Sequence, residues 1–396
     1  MNLTRRSFVL AAAIAPVAGG ARAQTAWSRI EQAARGQTVY FNAWAGSERI
    51  NAYLQWAGAE VARQHGVKLE HVKVTDTAEV VKRVRAEKAA GRAEGSADLI
   101  WINGENFLAM KREGLLFGPF AESLPSYAFV DTVGKPTTRT DFSEPVDGME
   151  APWGMAQLTF YADSTRVPQP PQNLAELADW AKKNPGRFTY PKPPQFHGTT
   201  FLKQALSELQ SDRTPLYRQA TTEAFGRASA PLWPWLDSLH PQLWRAGKQF
   251  PASNVVMRQM LADGELAISL TFNPNEAANE IVANRLPASV VSWQPRGGSI
   301  GNTHFLAVPF NARAKEGAQV LANFLLSPAA QARKADIRHW GDPTVLALDK
   351  LPPAQRALFA SDMAPGQVAT AAPTWPEPHA SWTEPLEREW LRRYGA

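Results

Sequence analysis

The chain has 396 residues, 42 Lys and Arg against 37 Asp and Glu, and no cysteine. That length exceeds one core and suits two lobes. The lack of thiols excludes disulfides, thiolate zinc sites, iron–sulfur clusters, cysteine nucleophiles and a lipid-attachment cysteine, and no Lys/Arg block points to nucleic acid.

The N-terminus reads Thr4-Arg5-Arg6-Ser7-Phe8-Val9-Leu10, then an apolar run, then Ala21-Arg22-Ala23. Twin arginines, a run too short for the ~20 residues of a membrane span, and a small-x-small end predict a twin-arginine export signal over 1–23. Cleavage is expected before Gln24, which releases the protein to the periplasm. The signal removes Arg5, Arg6 and Arg22, leaving 39 basic against 37 acidic groups, a net charge of +2 over 373 residues. No second apolar stretch reaches spanning length, so the mature chain is expected to be soluble; it is further expected to be a monomer.

β-branched and aromatic residues predict a strand over 38–44, the turn Ala45-Gly46-Ser47 follows, and helical spacing of Ile50, Tyr53, Leu54, Ala57 and Val61 predicts a helix over 48–64. Gly66 ends it. A strand over 67–74, a helix opened by Asp76 and Glu79, an apolar strand over 97–102 and a helix from 103 to 113 come next. Strand, loop and helix in repetition build a parallel sheet with ligands at the carboxyl ends of its strands. Further on the pattern predicts a long strand over 153–162, a helix over 174–183, a strand over 187–190, and a helix from Gly198 to Leu209. A helix over 255–261, strands over 265–270 and 304–309, a helix over 314–326 and a short terminal helix carrying Pro385, Leu386 and Trp390 complete the chain.

This order of segments resembles the periplasmic substrate-binding proteins of ABC importers, within them the YnjB-type proteins. Four passages carry the likeness. They are Trp44-Ala45-Gly46-Ser47-Glu48 after the first strand, Ser96-Ala97-Asp98-Leu99-Ile100-Trp101-Ile102-Asn103, Pro152-Trp153-Gly154 through Tyr161-Ala162-Asp163-Ser164, and Asn302-Thr303-His304-Phe305-Leu306-Ala307-Val308-Pro309. The resemblance implies a type II, two-lobed α/β fold with hinge strands and the ligand cleft between the lobes. It implies a first lobe from 24–157 plus 303–335, a second from 158–302, and a tail, 336–396, packed on both. It also implies a small-molecule solute, an inner-membrane ABC permease with a cytoplasmic ATPase, and, during export, the twin-arginine translocase. No cofactor and no metal are implied, and seven scattered Tyr without a Tyr-Tyr pair argue against iron.

Strand-end loops supply the candidate ligand-binding residues: Trp44, Gly46 and Ser47; Glu105 and Asn106; Trp153 and Tyr161 on the first crossing; Tyr190, Gly198, Thr199 and Thr200; Asn273, Asn275 and Glu276; and Asn302 on the return. Each has a structural alternative: Trp153 and Tyr161 suit a hinge core, Thr199 and Thr200 suit caps, Glu105 suits the positive end of its helix, and His197 suits a surface position. With Glu105 and Glu276 against Lys192 alone, the loops favour a neutral or cationic organic solute stacked on aromatic rings.

The rival reading is a secreted serine hydrolase. Gly297-Gly298-Ser299-Ile300-Gly301 fits Gly-x-Ser-x-Gly, with His304 and His339 downstream. That turn requires a helix after the serine, whereas the pattern here predicts a strand. Without a catalytic constellation the chain is expected not to be an enzyme.

Overall fold

The computed structural model describes residues 17–395, with side chains from residue 25. The Arg5-Arg6 motif therefore lies outside the described residues. A helix, Val17–Ala34, runs through the expected cleavage position, and its Trp27 and Ala34 belong to the first core.

The local rules hold along the first units. The strand Thr38–Trp44 is followed by the helix Glu48–His65, which buries Ile50, Tyr53, Leu54, Ala57 and Val61. Gly66 ends that helix at φ 68°, a left-handed conformation that costs glycine little. The Asp76 carboxylate accepts from the Ala78 N–H at 2.8 Å and caps Thr77–Ala89. Glu79 does not complete a capping box: it accepts from Thr75 Oγ1 at 3.1 Å instead.

Six strands form the larger sheet. Lys68–Val74, Thr38–Trp44 and Leu99–Ile102 lie parallel, and Ser299–Ala307 pairs antiparallel to the last of these. Glu150–Gln157 and the short Thr374–Pro376 flank that long return strand. A smaller sheet has Thr159–Asp163 between Ile268–Thr271 and Val290–Trp293, all antiparallel. Each sheet carries a separate apolar core, which defines two lobes.

The chain passes between them at Leu158. The long strand expected over 153–162 is thus two strands, one in each sheet, and the Leu158 N–H donates to Ile300 O at 2.9 Å at the step. The return strand begins at Ser299, five residues before the expected start. Residues 187–190 are not a strand. The Ala267 N–H reaches Arg187 O at 2.8 Å and the Trp244 N–H reaches Phe188 O at 2.9 Å, but no ladder forms. The following Pro191, Pro193 and Pro194 lack the donors a ladder needs.

The tail is tied to both lobes. Trp382, Leu386 and Trp390 of its last turns sit in the second core. The Ala380 N–H donates to Phe142 O at 2.9 Å and Ser143 Oγ to Glu377 O at 2.8 Å on the other side.

Candidate functional site

A cleft of about 710 Å³ opens between the lobes at the carboxyl ends of the first strands, a volume suited to a small molecule. Both lobes, the crossing strands at Ala156 and Asn302, and the tail at Thr383 and Glu387 contribute walls.

On the first lobe the wall is aromatic. Trp44 ends its strand with the indole folded over Gly46, where any side chain would overlap the ring. Trp101 and Trp340 line the floor, 5.6 Å apart between ring centroids, and His304 lies parallel to Trp340 at 6.1 Å. Asp342 stands 3.2 Å from His304 Nε2 and also pairs with the buried Lys334 ammonium. Burial alone would raise the Asp342 carboxyl, but the two basic neighbours prevail and hold it below its ordinary range.

The opposite wall is ionic. Arg258 lies 3.3 Å from Glu276 and 3.5 Å from Glu280, which also pairs with Arg285. Burial raises the Glu276 carboxyl despite Arg258. His197 lines the cleft, and burial lowers its imidazole to about 4, so it is neutral near pH 7. Lys203 is buried, 3.6 Å from Glu377 and 4.1 Å above the Phe142 ring.

A latch joins the lobes at the cleft mouth. Arg49 donates to the carbonyls of Ile337 at 3.0 Å, Arg338 at 2.9 Å and Asn279 at 2.8 Å. Asn275 Nδ2 donates to Gly341 O at 2.7 Å, and Asn279 Nδ2 bonds Trp340 O.

Of the residues expected at the site, Trp44, Gly46, Ser47, Glu105, Asn106, Thr199, Asn273, Glu276 and Asn302 line the cleft. The others lie off its walls. Trp153 is fully buried behind the floor, packed on Phe41, Tyr53, Trp101 and Trp340. Tyr161 is enclosed by Leu261, Ala277 and Val290, and Tyr190 by Phe201, Phe250 and Trp390. Gly198 is glycine because a side chain would overlap the Pro191 carbonyl, and Thr200 is buried. Asn275 serves the latch.

Sequence reading missed Arg49, Trp101, Lys203, Trp340, Asp342 and Glu387. Trp101 and Trp340 had an available signal, being tryptophans at a strand end and in a loop. Lys203 and Glu387 had none, since each sits mid-helix. The cleft holds more cations than the strand-end loops suggest. Lys192 is exposed and reaches Gly395 O at 3.2 Å, while Arg49, Lys203, Arg258 and Arg285 line the cleft. Seven carboxylates face them, from Glu48, Asp76, Glu105, Glu276, Glu280, Asp342 and Glu387, an excess of three. Among the described residues no group of three or more His, Asp or Glu is placed to hold a metal ion.

Ser299 is no nucleophile elbow. It opens a strand, is fully buried, and its Oγ accepts from Gln157 Nε2 at 3.0 Å.

Residues 56–355 match the bacterial extracellular solute-binding proteins. The chain belongs to this family. It is 49% identical to Protein YnjB of Escherichia coli (strain K12) over 370 residues, 93% of this chain and 94% of that one. Among solved structures it resembles the Tp0655 (TpPotD) lipoprotein of Treponema pallidum, with a TM-score of 0.65 at 14% identity over 90% of this chain and 99% of that one. It also resembles the periplasmic binding protein AfuA from Actinobacillus pleuropneumoniae, with a TM-score of 0.61, 14% identity and the same coverage. These likenesses establish the two-lobed periplasmic-binding-protein fold. As a member of this family the chain is an extracellular solute-binding protein, and nothing supports a serine hydrolase.

Proposed function

We propose that this protein captures a small neutral or cationic organic solute in the cleft, closes its lobes over it, and delivers it to an inner-membrane ABC permease. It catalyses nothing, works as a periplasmic monomer, and is exported by the twin-arginine translocase with cleavage before Gln24. The two crossing strands, 157–159 and the return at 299–303, act as the hinge between lobes 24–157 plus 303–335 and 158–302.

The observation that carries this reading is a cleft whose walls come from both sheets, both crossings and the tail. A ligand touching all of them binds the closed form better than the open one, and only such differential contact shifts the equilibrium. The carboxylate excess disfavours a bare anion, and the tryptophan floor suits rings or cations. Related folds do not choose the solute: AfuA was captured with fructose-6-phosphate, whereas other neighbours are named for spermidine and putrescine. The test is native mass spectrometry of the protein purified from its own periplasm, with scattering before and after gentle denaturing removal of what it carries. A bound small molecule whose return compacts the particle is expected. A protein that carries nothing and keeps one scattering profile with every candidate solute would overturn the reading.

A further inference from the structure

In the corner where the tail meets the second lobe and the return crossing, carboxylate and amide acceptors outnumber donors, even counting the buried, unpartnered Thr383 hydroxyl. Glu387 comes from the terminal helix Thr383–Tyr394, and one of its oxygens accepts from Thr199 Oγ1 at 2.6 Å. Glu105 opens the helix Glu105–Arg112 on the first lobe and lines the same cleft as Glu387. Among the described residues neither carboxylate forms a salt bridge, and Glu105 accepts no side-chain hydrogen bond.

A second feature is independent of those charges. Asn302, on the return crossing and only 3% exposed, lines the same cleft. Its Nδ2 donates to Glu377 Oε1 at 3.2 Å, but its Oδ1 is buried with no hydrogen-bond partner. Glu377 Oε2 is likewise buried without a hydrogen bond, since Lys203 Nζ is 3.6 Å away. Among the described residues the cation at this corner is Lys203, which pairs with Glu377 and lies over the Phe142 ring. A buried acceptor left without a donor bears its desolvation cost uncompensated. An ammonium offers three donors and no acceptor, whereas an anion would add acceptors to a surplus.

We propose that Glu105, Glu387 and Asn302 form an ammonium subsite, and that the C-terminal helix is thereby part of the solute-recognition surface. This rests on the receptor reading above and deepens it: the solute carries an ammonium group, and that group joins first-lobe Glu105 to Glu387, which is bonded to second-lobe Thr199. Bridging in this way makes the charge itself a closing contact. Charge on Glu387 is sensitive to pH, because burial lifts its carboxyl to about 7, with Glu105 and Asp76 adding to the lift and Thr199 and Lys203 opposing it. Ammonium capture by this corner should therefore strengthen as pH rises from 6 to 8.

Calorimetry with butylammonium, butane-1,4-diammonium and butanedioate tests this on the full chain. An ammonium probe is expected to bind, butanedioate is not, and Glu387→Gln should weaken the ammonium probe at least tenfold at pH 8 and far less at pH 5.5. Glu105→Gln, at an exposed helix start, should weaken it too and guards against a folding defect in the first variant. Unchanged affinity in both variants, no ammonium binding by the wild type, or tighter binding of butanedioate would each overturn the subsite. If mass spectrometry recovers a solute without an ammonium group, the subsite fails while the receptor reading stands. If no solute is recovered and the lobes never close, the receptor reading itself fails.

Discussion

Gly154 and His304 are register partners on the two strands that run between the lobes. The space above Gly154 is filled by the His304 ring and the Asp342 carboxylate, so that a methyl group there would overlap both. His304 stacks on Trp340 and contacts Trp101, both of which line the cleft. The missing side chain at Gly154 thus lets a charged group rest on the crossing directly beneath the aromatic floor. Gly154→Ala is expected to destabilise the fold by about 1–3 kcal/mol, the usual cost of overpacking, and to shift His304 and Trp340. A lower thermal midpoint together with changed tryptophan emission would show this. A variant as stable as the parent with an unchanged spectrum would mean that the floor gives way at no cost.

Acid sensitivity follows from a hydrogen-bond chain in the second core. Trp390 Nε1 donates to the Tyr190 hydroxyl at 2.8 Å, which leaves the Tyr190 proton to donate to His240 Nε2 at 2.7 Å. His240 must accept there, hence be neutral, and burial lowers its imidazole from 6.5 to about 4. Between those values the unfolded chain binds a proton that the folded chain refuses, so stability is lost as pH falls from 6.5 towards 4. His240→Gln keeps an acceptor that does not titrate. It should flatten the slope of stability against pH in this window by up to about 1.4 kcal/mol per unit, read by denaturant unfolding at several pH values. An equal slope in both proteins would remove His240 as the cause.

The first half of the chain was readable because its signals are local. Ile50, Tyr53, Leu54, Ala57 and Val61 repeat at helical spacing, and Gly66 and Asp76 end and start helices through their own backbone and side-chain geometry. Their order gave the parallel units and, with the four quoted passages, the two-lobed class. What was not legible depends on partners distant in sequence. Whether Tyr190 or Trp153 faces a ligand or a core is set by Trp390 and Trp340, some two hundred residues away, and polarity cannot report it. Glu387 reaches the cleft only because the tail returns across both lobes, and Lys203 only because its helix packs with its charged face towards Glu377 of that tail. Residues 187–190 have strand composition, yet their contact with the chain entering the strand Ile268–Thr271 stays confined to the Arg187 carbonyl, and the prolines that follow cannot donate to extend it.

The latch makes closure measurable. Arg49 belongs to the first lobe and binds only main-chain carbonyls, among them that of Asn279 on the second. Each such bond from a charged donor contributes roughly 1.5–3 kcal/mol where water is excluded, and less at this half-exposed mouth. Arg49→Ala is expected to favour the open form, so solute should dissociate faster while association changes little. Scattering of the solute-free variant should show a larger radius of gyration. An unchanged radius and an unchanged dissociation rate would leave Arg49 a surface contact with no part in closure.

Trp44 offers the most direct test of where the solute sits. Its indole ends the first strand, folds over Gly46 and lines the cleft beside Ser47, and it is only half-buried, so it has surface left for a ligand. A flat aromatic face gives contact area with little entropy to lose, and it attracts cations or rings placed against it. Trp44→Ala should weaken binding of the co-purified solute at least tenfold, about 1.4 kcal/mol. The effect should be on affinity and not on the fold, because truncating a half-buried wall residue opens the existing cleft instead of creating a sealed cavity. Trp244→Ala serves as control: Trp244 bonds Glu265 at 2.6 Å and lies outside the cleft, so its loss should leave affinity as it was. Equal affinities in the parent and both variants would take Trp44 out of the site, and the floor formed by Trp101 and Trp340 would then be the aromatic surface to replace.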